Sequence, residues 1–245
     1  MGKQENKKMD ITSSLAIISL AALIHASFQL SVSVLTLLSG HSIGAKHSKV
    51  KLLRLTTSFV FGAGVMTILL LSFISLLLIN IFGGDIPQII WAAGCGLLFG
   101  MALAVWLFYY RHASGTTIWI PRAMADYLNR RTKLTKHSAE SFALGLSSVI
   151  GEILFIIAPL FITALVLIQL PPMMQLLGIG IYSVISLISL IIVWLLIGIG
   201  YNLGKIQKWR ESNKHFLQFS AGSGLLILAF FVYVTEIIGN SVGYK

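Results

Sequence analysis

Residues 141–165 read SFALGLSSVIGEILFIIAPLFITAL, a run apolar enough to enter a membrane that nevertheless carries an acid, Glu152, and a proline, Pro159. A carboxylate in the middle of a spanning helix costs about 2.5–3.5 kcal/mol on insertion scales if it faces lipid, so an intramembrane acid points to a functional site. Around it Ser141, Gly145, Ser148, Glu152, Pro159 and Thr163 recur at spacings of 4, 3, 4, 7 and 4, which puts them on one helical face. That face calls for protein or water. Pro159 lacks a backbone donor, which predicts a bend or break there and freed carbonyls able to line a site.

The rest of the chain fits a membrane setting. Of 245 residues 56% are apolar and 11% charged, with a mean hydropathy of +0.88, outside the range of soluble domains. Six stretches are long enough to cross about 30 Å of hydrocarbon: 11–38, 56–82, 86–110, 139–167, 173–200 and 216–239. The basic start MGKQENKK leads into an apolar run too long for a signal-peptide core, and it is read as the first mature span. Cys95 is the one cysteine, so an internal disulfide is excluded.

The net charge of +10 sits between the spans, where it reads as topology and lipid contact and not as nucleic-acid binding. Lys46, Lys49, Lys51 and Arg54 follow the first span; Arg111, Arg122, Arg130, Arg131, Lys133 and Lys136 the third; Lys205, Lys208, Arg210 and Lys214 the fifth. The loops after the second and fourth spans carry no Lys or Arg. The positive-inside rule puts the odd-numbered loops in the cytoplasm and both termini outside, against the minor vote of Lys3, Lys7 and Lys8. A multi-pass protein of the cell membrane is expected.

Residues 111–138 form a basic cytoplasmic linker. Within it IWIPRAMADYLNRR sets Pro121 at a tolerated first helical position and spaces Ile120, Met124, Tyr127 and Leu128 against Arg122, Asp126 and Arg130, predicting a short amphipathic helix at the inner membrane interface. The linker divides the chain into two three-helix repeats, 1–110 and 139–245. His25 and Glu152 fall at equal depth in the first and fourth spans, which an odd number of spans per half would insert from opposite sides. His25, Gln29, Ser33, Thr36 and Gly40 form a second polar stripe at spacings of 4, 4, 3 and 4. The expected fold is all-α, a polytopic membrane protein of six transmembrane helices as an inverted 3+3 repeat, with a site at the midplane.

The candidate residues for substrate binding or proton coupling are Glu152, His25, Gln29, Ser33, Ser148 and Pro159. Glu152 could carry a proton or contact a cation, or could sit protonated and hydrogen-bonded as a purely structural acid. His25 could pair with Glu152 or relay a proton, or be a satisfied core histidine. Glu236, near the outer end of the sixth span, and His41, in Ser39-Gly40-His41 at the close of the first, are candidate gates. Glu236 also fits an interfacial anchor, and His41 a helix cap. Phe59-x-x-Gly62-x-Gly64 and Gly94-Cys95-Gly96 with Gly100 offer small surfaces for close helix approach. No set has the spacing of a metal site, a phosphate loop or a nucleophilic triad, and neither a catalytic residue nor a cofactor is expected.

Six spans in two halves, a first helix running into Leu38-Ser39-Gly40-His41, a glycine-rich second helix, and a fourth with Phe142-x-Leu144-Gly145-x-x-Ser148 and Ala158-Pro159 resemble the LysE-like superfamily. That group holds lysine-type amino-acid exporters, nickel/cobalt and other cation exporters and DsbD/CcdA-like electron-transfer proteins. Ser31-Val32-Ser33 and Ala158-Pro159 carry no cysteine, unlike the thiol proteins of that group. Gly40-His41 stands without the proline of the nickel exporters' His-x-x-x-Pro-Gly-His pattern. The resemblance implies the inverted three-plus-three plan and transport.

These readings lead to a secondary transporter, an exporter of a small cationic or zwitterionic solute (an amino acid or a metal cation), proton-coupled through Glu152 and His25. Its partners would be the solute and membrane lipids, with a homodimer compatible and no nucleic acid. The alternative is a non-transporting accessory, assembly or immunity protein that binds partners through its helices and basic inner face.

Overall fold

The computed structural model describes residues 10–28, 30–44, 49–108, 122–201 and 203–239. Among them the chain is helical and has no strand: α1 (Ile11–Ser27), α2 (Leu30–Gly44), α3 (Lys49–Phe82), α4 (Gln88–Phe108), α5 (Arg122–Leu134), α6 (Ser138–Gly151), α7 (Ile153–Gln169), α8 (Pro172–Ser186), α9 (Ile188–Gly198), α10 (Leu203–Ser212) and α11 (Lys214–Val232). The last continues into a π-helical turn, Tyr233–Ile238.

Among the described residues three helices are long and apolar enough to cross a membrane: α3, α4, and α11 with its π-turn. The count rises to six if each of three bent pairs is one span: α1 with α2 at 44°, α6 with α7 at 78°, and α8 with α9 at 50°. Large apolar side chains such as Phe61, Phe73, Leu76, Ile89 and Phe230 stand exposed along these helices, far more apolar surface than water tolerates and consistent with a membrane protein.

Helix directions follow from which residues meet. Leu55 and Phe59 of α3 lie against Ser141 and Gly145 of α6, so both chain numbers rise together and these two helices run parallel. Along α8 and α9, Gly178, Tyr182 and Ser189 meet Ile18, His25 and Ala26, again parallel. By contrast α4 and α11 are antiparallel, with Gln88, Cys95 and Trp106 against Ile237, Ala229 and Phe219. The Trp194–Thr57 bond and the Leu187–Gly64 contact likewise set α9 antiparallel to α3.

The tightest crossing is α3 on α6. A Cβ on Gly62 would strike the Phe142 carbonyl, and one on Gly145 the Phe59 carbonyl, so each glycine lets a partner backbone approach. Ser141 Oγ donates to Leu55 O at 2.7 Å and Ser58 Oγ to Ser138 O at 2.7 Å. Gly94 of α4 similarly admits Ile162 of α7, whereas nothing stands within 4 Å of a Cβ on Gly96 or Gly100, so these two are not packing surfaces.

Three expectations about helix continuity need correction. The break in the fourth span falls at Glu152, and Pro159 lies inside a continuous α7. Glu152 itself, at φ −87° and ψ −8°, ends one helix and begins the next, its N–H reaching Val149 O and its C=O accepting from Phe155 and Ile156. Proline removes one bond from a helix that tertiary packing holds on all sides, whereas at Glu152 a side-chain tether redirects the chain. Second, the first span is broken between Ser27 and Leu30, so the stripe from His25 to Gly40 does not lie on one straight helix. Third, α2 passes through Ser39-Gly40-His41 and ends at Gly44.

Within the linker, α5 takes up the predicted amphipathic stretch from Arg122 onward; residues 111–121, with Ile120 and Pro121, lie outside the described residues. This helix folds back antiparallel to α6. Thr135 and Glu140 line one cavity at the turn, while Met124 and Leu128 cover Gly151 at the far end.

Candidate functional site

Every member of the α6–α7 stripe is turned inward: Ser141, Gly145, Ser148, Glu152, Pro159 and Thr163 are all buried. The packing of α3 covers the upper part of the stripe, and α1 and α2 cover its middle.

Glu152 occupies the junction of α6 and α7 with 3% of its surface exposed. The Ser31 backbone N–H, in the first turn of α2, donates to Glu152 Oε1. A helix N-terminus presents unpaired N–H groups and a partial positive charge, so a carboxylate is a fitting occupant. The acid at one break is thereby held by the helix that restarts after another.

His25 stands just before that other break. Its Nε2 lies 3.9 Å from Glu152 Oε2, and its Nδ1 lies 3.0 Å from the Tyr182 hydroxyl on α8. When Tyr182 donates to Nδ1, the imidazole carries its proton on Nε2, the nitrogen that faces Glu152. The chain Tyr182–His25–Glu152 is thus a route along which a proton can be held or handed on. Tyr182 is fully buried and its ring is tilted against that of His25, with centroids 5.7 Å apart.

The third break belongs to the same region. Ser189, at the start of α9, donates to Ala26 O at 2.9 Å beside the end of α1. Phe28 and Phe155 stack at 5.7 Å and 22° between the first two breaks. Ser31 Oγ and Ser148 Oγ are 3.1 Å apart, and Ser148 also donates to Gly145 O at 2.8 Å. Buried hydroxyls here complete the polar lining that burial demands.

One charge comes from a segment that reads as loop. Arg210, on α10, is 5% exposed and donates from Nη1 to Ser33 Oγ at 3.0 Å. Its guanidinium also acts electrostatically on Glu152. Neither Arg210 nor Tyr182 is singled out by hydropathy: the first sits in a run of loop cations, the second in an apolar stretch. A tyrosine at mid-span, with a hydroxyl that burial obliges to bond, was the signal available for Tyr182.

The structure therefore brings His25, Glu152 and Ser148 into one neighbourhood, while Ser33 meets Arg210. Pro159 lies farther along α7, where Thr163 Oγ1 donates to its carbonyl at 2.7 Å. Gln29 lies outside the described residues, as does the side chain of His41. Glu236, a candidate gate, lies inside the π-turn with 3% of its surface exposed, so it does not reach outward as the alternative of an interfacial anchor would. The π-turn makes room for an inward acid by widening the helix. Among the described residues no three His, Cys, Asp or Glu side chains gather as a metal site.

Comparison with protein-family models, with curated proteins and with solved structures gives no match.

Proposed function

We propose that the chain is a secondary transporter of the cell membrane, an exporter of a small cationic or zwitterionic solute such as an amino acid or a metal cation, coupled to protons at Glu152. The observation that carries this reading is the meeting of His25 and Glu152, one from each half, at two helix breaks. Transporters place substrate and coupling ions where discontinuous helices offer free backbone groups at mid-depth.

In this mechanism ionised Glu152 is clasped by the Ser31 N–H and by His25. A proton arriving through His25 neutralises it, which weakens the clasp and frees the first turn of α2 to move against α6. On the other side of the cycle the carboxylate gives up the proton and takes the ammonium group or cation of the solute. Arg210 and Ser33 fix α2 from the opposite face. The six-span inverted plan draws on the parallel and antiparallel relations above and on paired breaks in the first and fourth spans, while the cytoplasmic placement of the odd loops rests on their Lys and Arg residues and the LysE-like kinship on the sequence motifs alone. One feature departs from strict symmetry: α3 is unbroken while its counterpart bends at Leu187.

The rival reading, a non-transporting accessory, assembly or immunity protein, draws on the near-complete burial of His25 and Glu152, which also suits a structural bolt. Flux through proteoliposomes separates the two. Glu152→Gln abolishes coupled flux in a folded protein on the transport reading, and leaves function intact on the rival, where neutralising Arg130 and Arg131 does the damage.

A further inference from the structure

Outside the buried cluster a groove runs between α5 and α6. Its inner wall is fixed: Leu128 and Thr132 are buried, and Leu128 and Met124 close over Gly151. Its outer wall is open. At the end near the α5–α6 turn, a cavity of about 160 Å³ is lined by Tyr127, Arg131, Leu134, Thr135, Glu140 and Leu144, among others. A neighbouring hollow adds Arg130 and Asp126. At the opposite end Ala123, Met124, Tyr127, Ser147 and Ile150 line an almost wholly apolar slot of about 470 Å³.

Tyr127 borders all three, so they form one groove with a polarity gradient along α6. The basic end lies beside the start of α6. From the apolar end, exposed Ile150 and Leu154 carry the surface onward along the spanning pair. Arg131 lies over the Tyr127 ring with its guanidinium carbon 5.8 Å from the centroid, which holds the charge at the mouth. Two acids face the same region. Glu140 is engaged by the Lys136 and His137 N–H groups at 2.7 and 3.1 Å, and Asp126 is exposed on α5. Arg130 and Arg131 line the same hollows as these acids, and Lys133 and Lys136 follow directly along the chain.

We infer that this groove is a binding site for an anionic phospholipid, its phosphate headgroup between Arg130 and Arg131 and one acyl chain in the slot of Met124, Tyr127, Ser147 and Ile150. A soluble anion would use the basic end alone. Only an amphiphile uses both ends in the order in which they occur. A basic side chain at a membrane surface favours an anionic headgroup by about fivefold, and because Glu140 and Asp126 line the same hollows and offset part of the two guanidinium charges, the site gives about fivefold over a zwitterionic lipid of the same chains. The inference is independent of the transport reading.

The test is native mass spectrometry of the purified full chain with equimolar phosphatidylglycerol and phosphatidylcholine of identical acyl composition. The expected result is a preference of about fivefold for phosphatidylglycerol. Arg130→Gln with Arg131→Gln brings the two lipids near parity, and Ser147→Phe, which fills the slot and leaves both arginines, lowers phosphatidylglycerol retention. Ala123→Phe makes the same test from the α5 wall if Ser147→Phe does not fold. Parity in the unmodified protein, or unchanged retention in folded forms of either class of variant, overturns the assignment. Displacement of the lipid by millimolar glycerol phosphate also overturns it, because the site would then read a phosphate and no chain.

Discussion

The Ser31 backbone N–H donates to the Glu152 carboxylate, so the first turn of α2 is held by the residue at which α6 gives way to α7. Two interruptions in distant parts of the sequence are thereby one structural feature. Ser31 and Ser148, whose hydroxyls are 3.1 Å apart, repeat the link one turn back along α6.

That second link gives a direct probe of motion. Cysteines at Ser31 and Ser148 in a Cys95→Ala background place two sulfurs where the hydroxyls now meet, close enough for a disulfide to form with modest adjustment. Oxidation is expected to remove both thiols from maleimide labelling without forming dimers. It is also expected to arrest flux, with recovery on reduction. Full labelling after oxidation would mean that α2 and α6 are not neighbours here.

Arg210 and Glu152 are expected to behave as a coupled pair. Deleting the Arg210 guanidinium removes a charged hydrogen bond to Ser33 and a positive charge that acts on Glu152, worth about 1.5–3 kcal/mol. Arg210→Met should therefore lower the melting temperature sharply, and adding Glu152→Gln should recover part of the loss. A thermal-unfolding double-mutant cycle reads this, with an interaction of about 0.5–3 kcal/mol expected and strict additivity the contrary outcome.

Tyr182→Phe keeps the ring and deletes the hydroxyl that His25 Nδ1 meets at 3.0 Å. A buried polar atom left without its partner costs about 1–3 kcal/mol. The variant should melt earlier and, because the His25 tautomer is no longer fixed, should shift the pH profile of flux. An unchanged profile would place Tyr182 outside the proton route.

At the α3–α6 crossing, Gly62→Val and Gly145→Val each drive side-chain atoms into a carbonyl of the other helix. Overpacking of this kind costs about 1–3 kcal/mol or more, since backbone cannot step aside. Both should lose folded yield in fluorescence-detected size exclusion. Gly100→Ala, which meets nothing within 4 Å, should not.

Much of this was legible in the amino acids. Hydropathy locates the apolar stretches because the chain must satisfy its backbone inside lipid, and the expected second span ends at Phe82, as α3 does. The polar stripe on 141–165 is readable because each polar or small residue in it needs an interior partner; the chain bends by 78° at Glu152, so the stripe is not one helical face, yet every residue of it is buried. The equal depth of His25 and Glu152 left open whether the two face each other, and the structure sets them 3.9 Å apart.

The helix breaks were not legible. Leu187 interrupts an apolar run with no proline or glycine beside it, and a hydropathy window averages over a single turned residue. Pro159 offered a local reason for a break that tertiary packing overrides, while the tether at Glu152 depends on Ser31, 121 residues away. Arg210 reads as a solvated loop cation until α10 is folded against α2. Glu236 reads as an interfacial acid until the π-turn carries it inward.

The most direct test of the central claim is solute-driven proton movement in proteoliposomes loaded with a pH-sensitive dye, across a panel of basic and zwitterionic amino acids and divalent cations. The account predicts a luminal pH change with at least one panel solute for the unmodified chain, none for folded Glu152→Gln, and a retained response for Arg130→Gln with Arg131→Gln. A Glu152→Gln protein that moves protons as the unmodified one does would contradict it, as would a silent unmodified chain whose only sensitivity, in any assay, is to the two arginines.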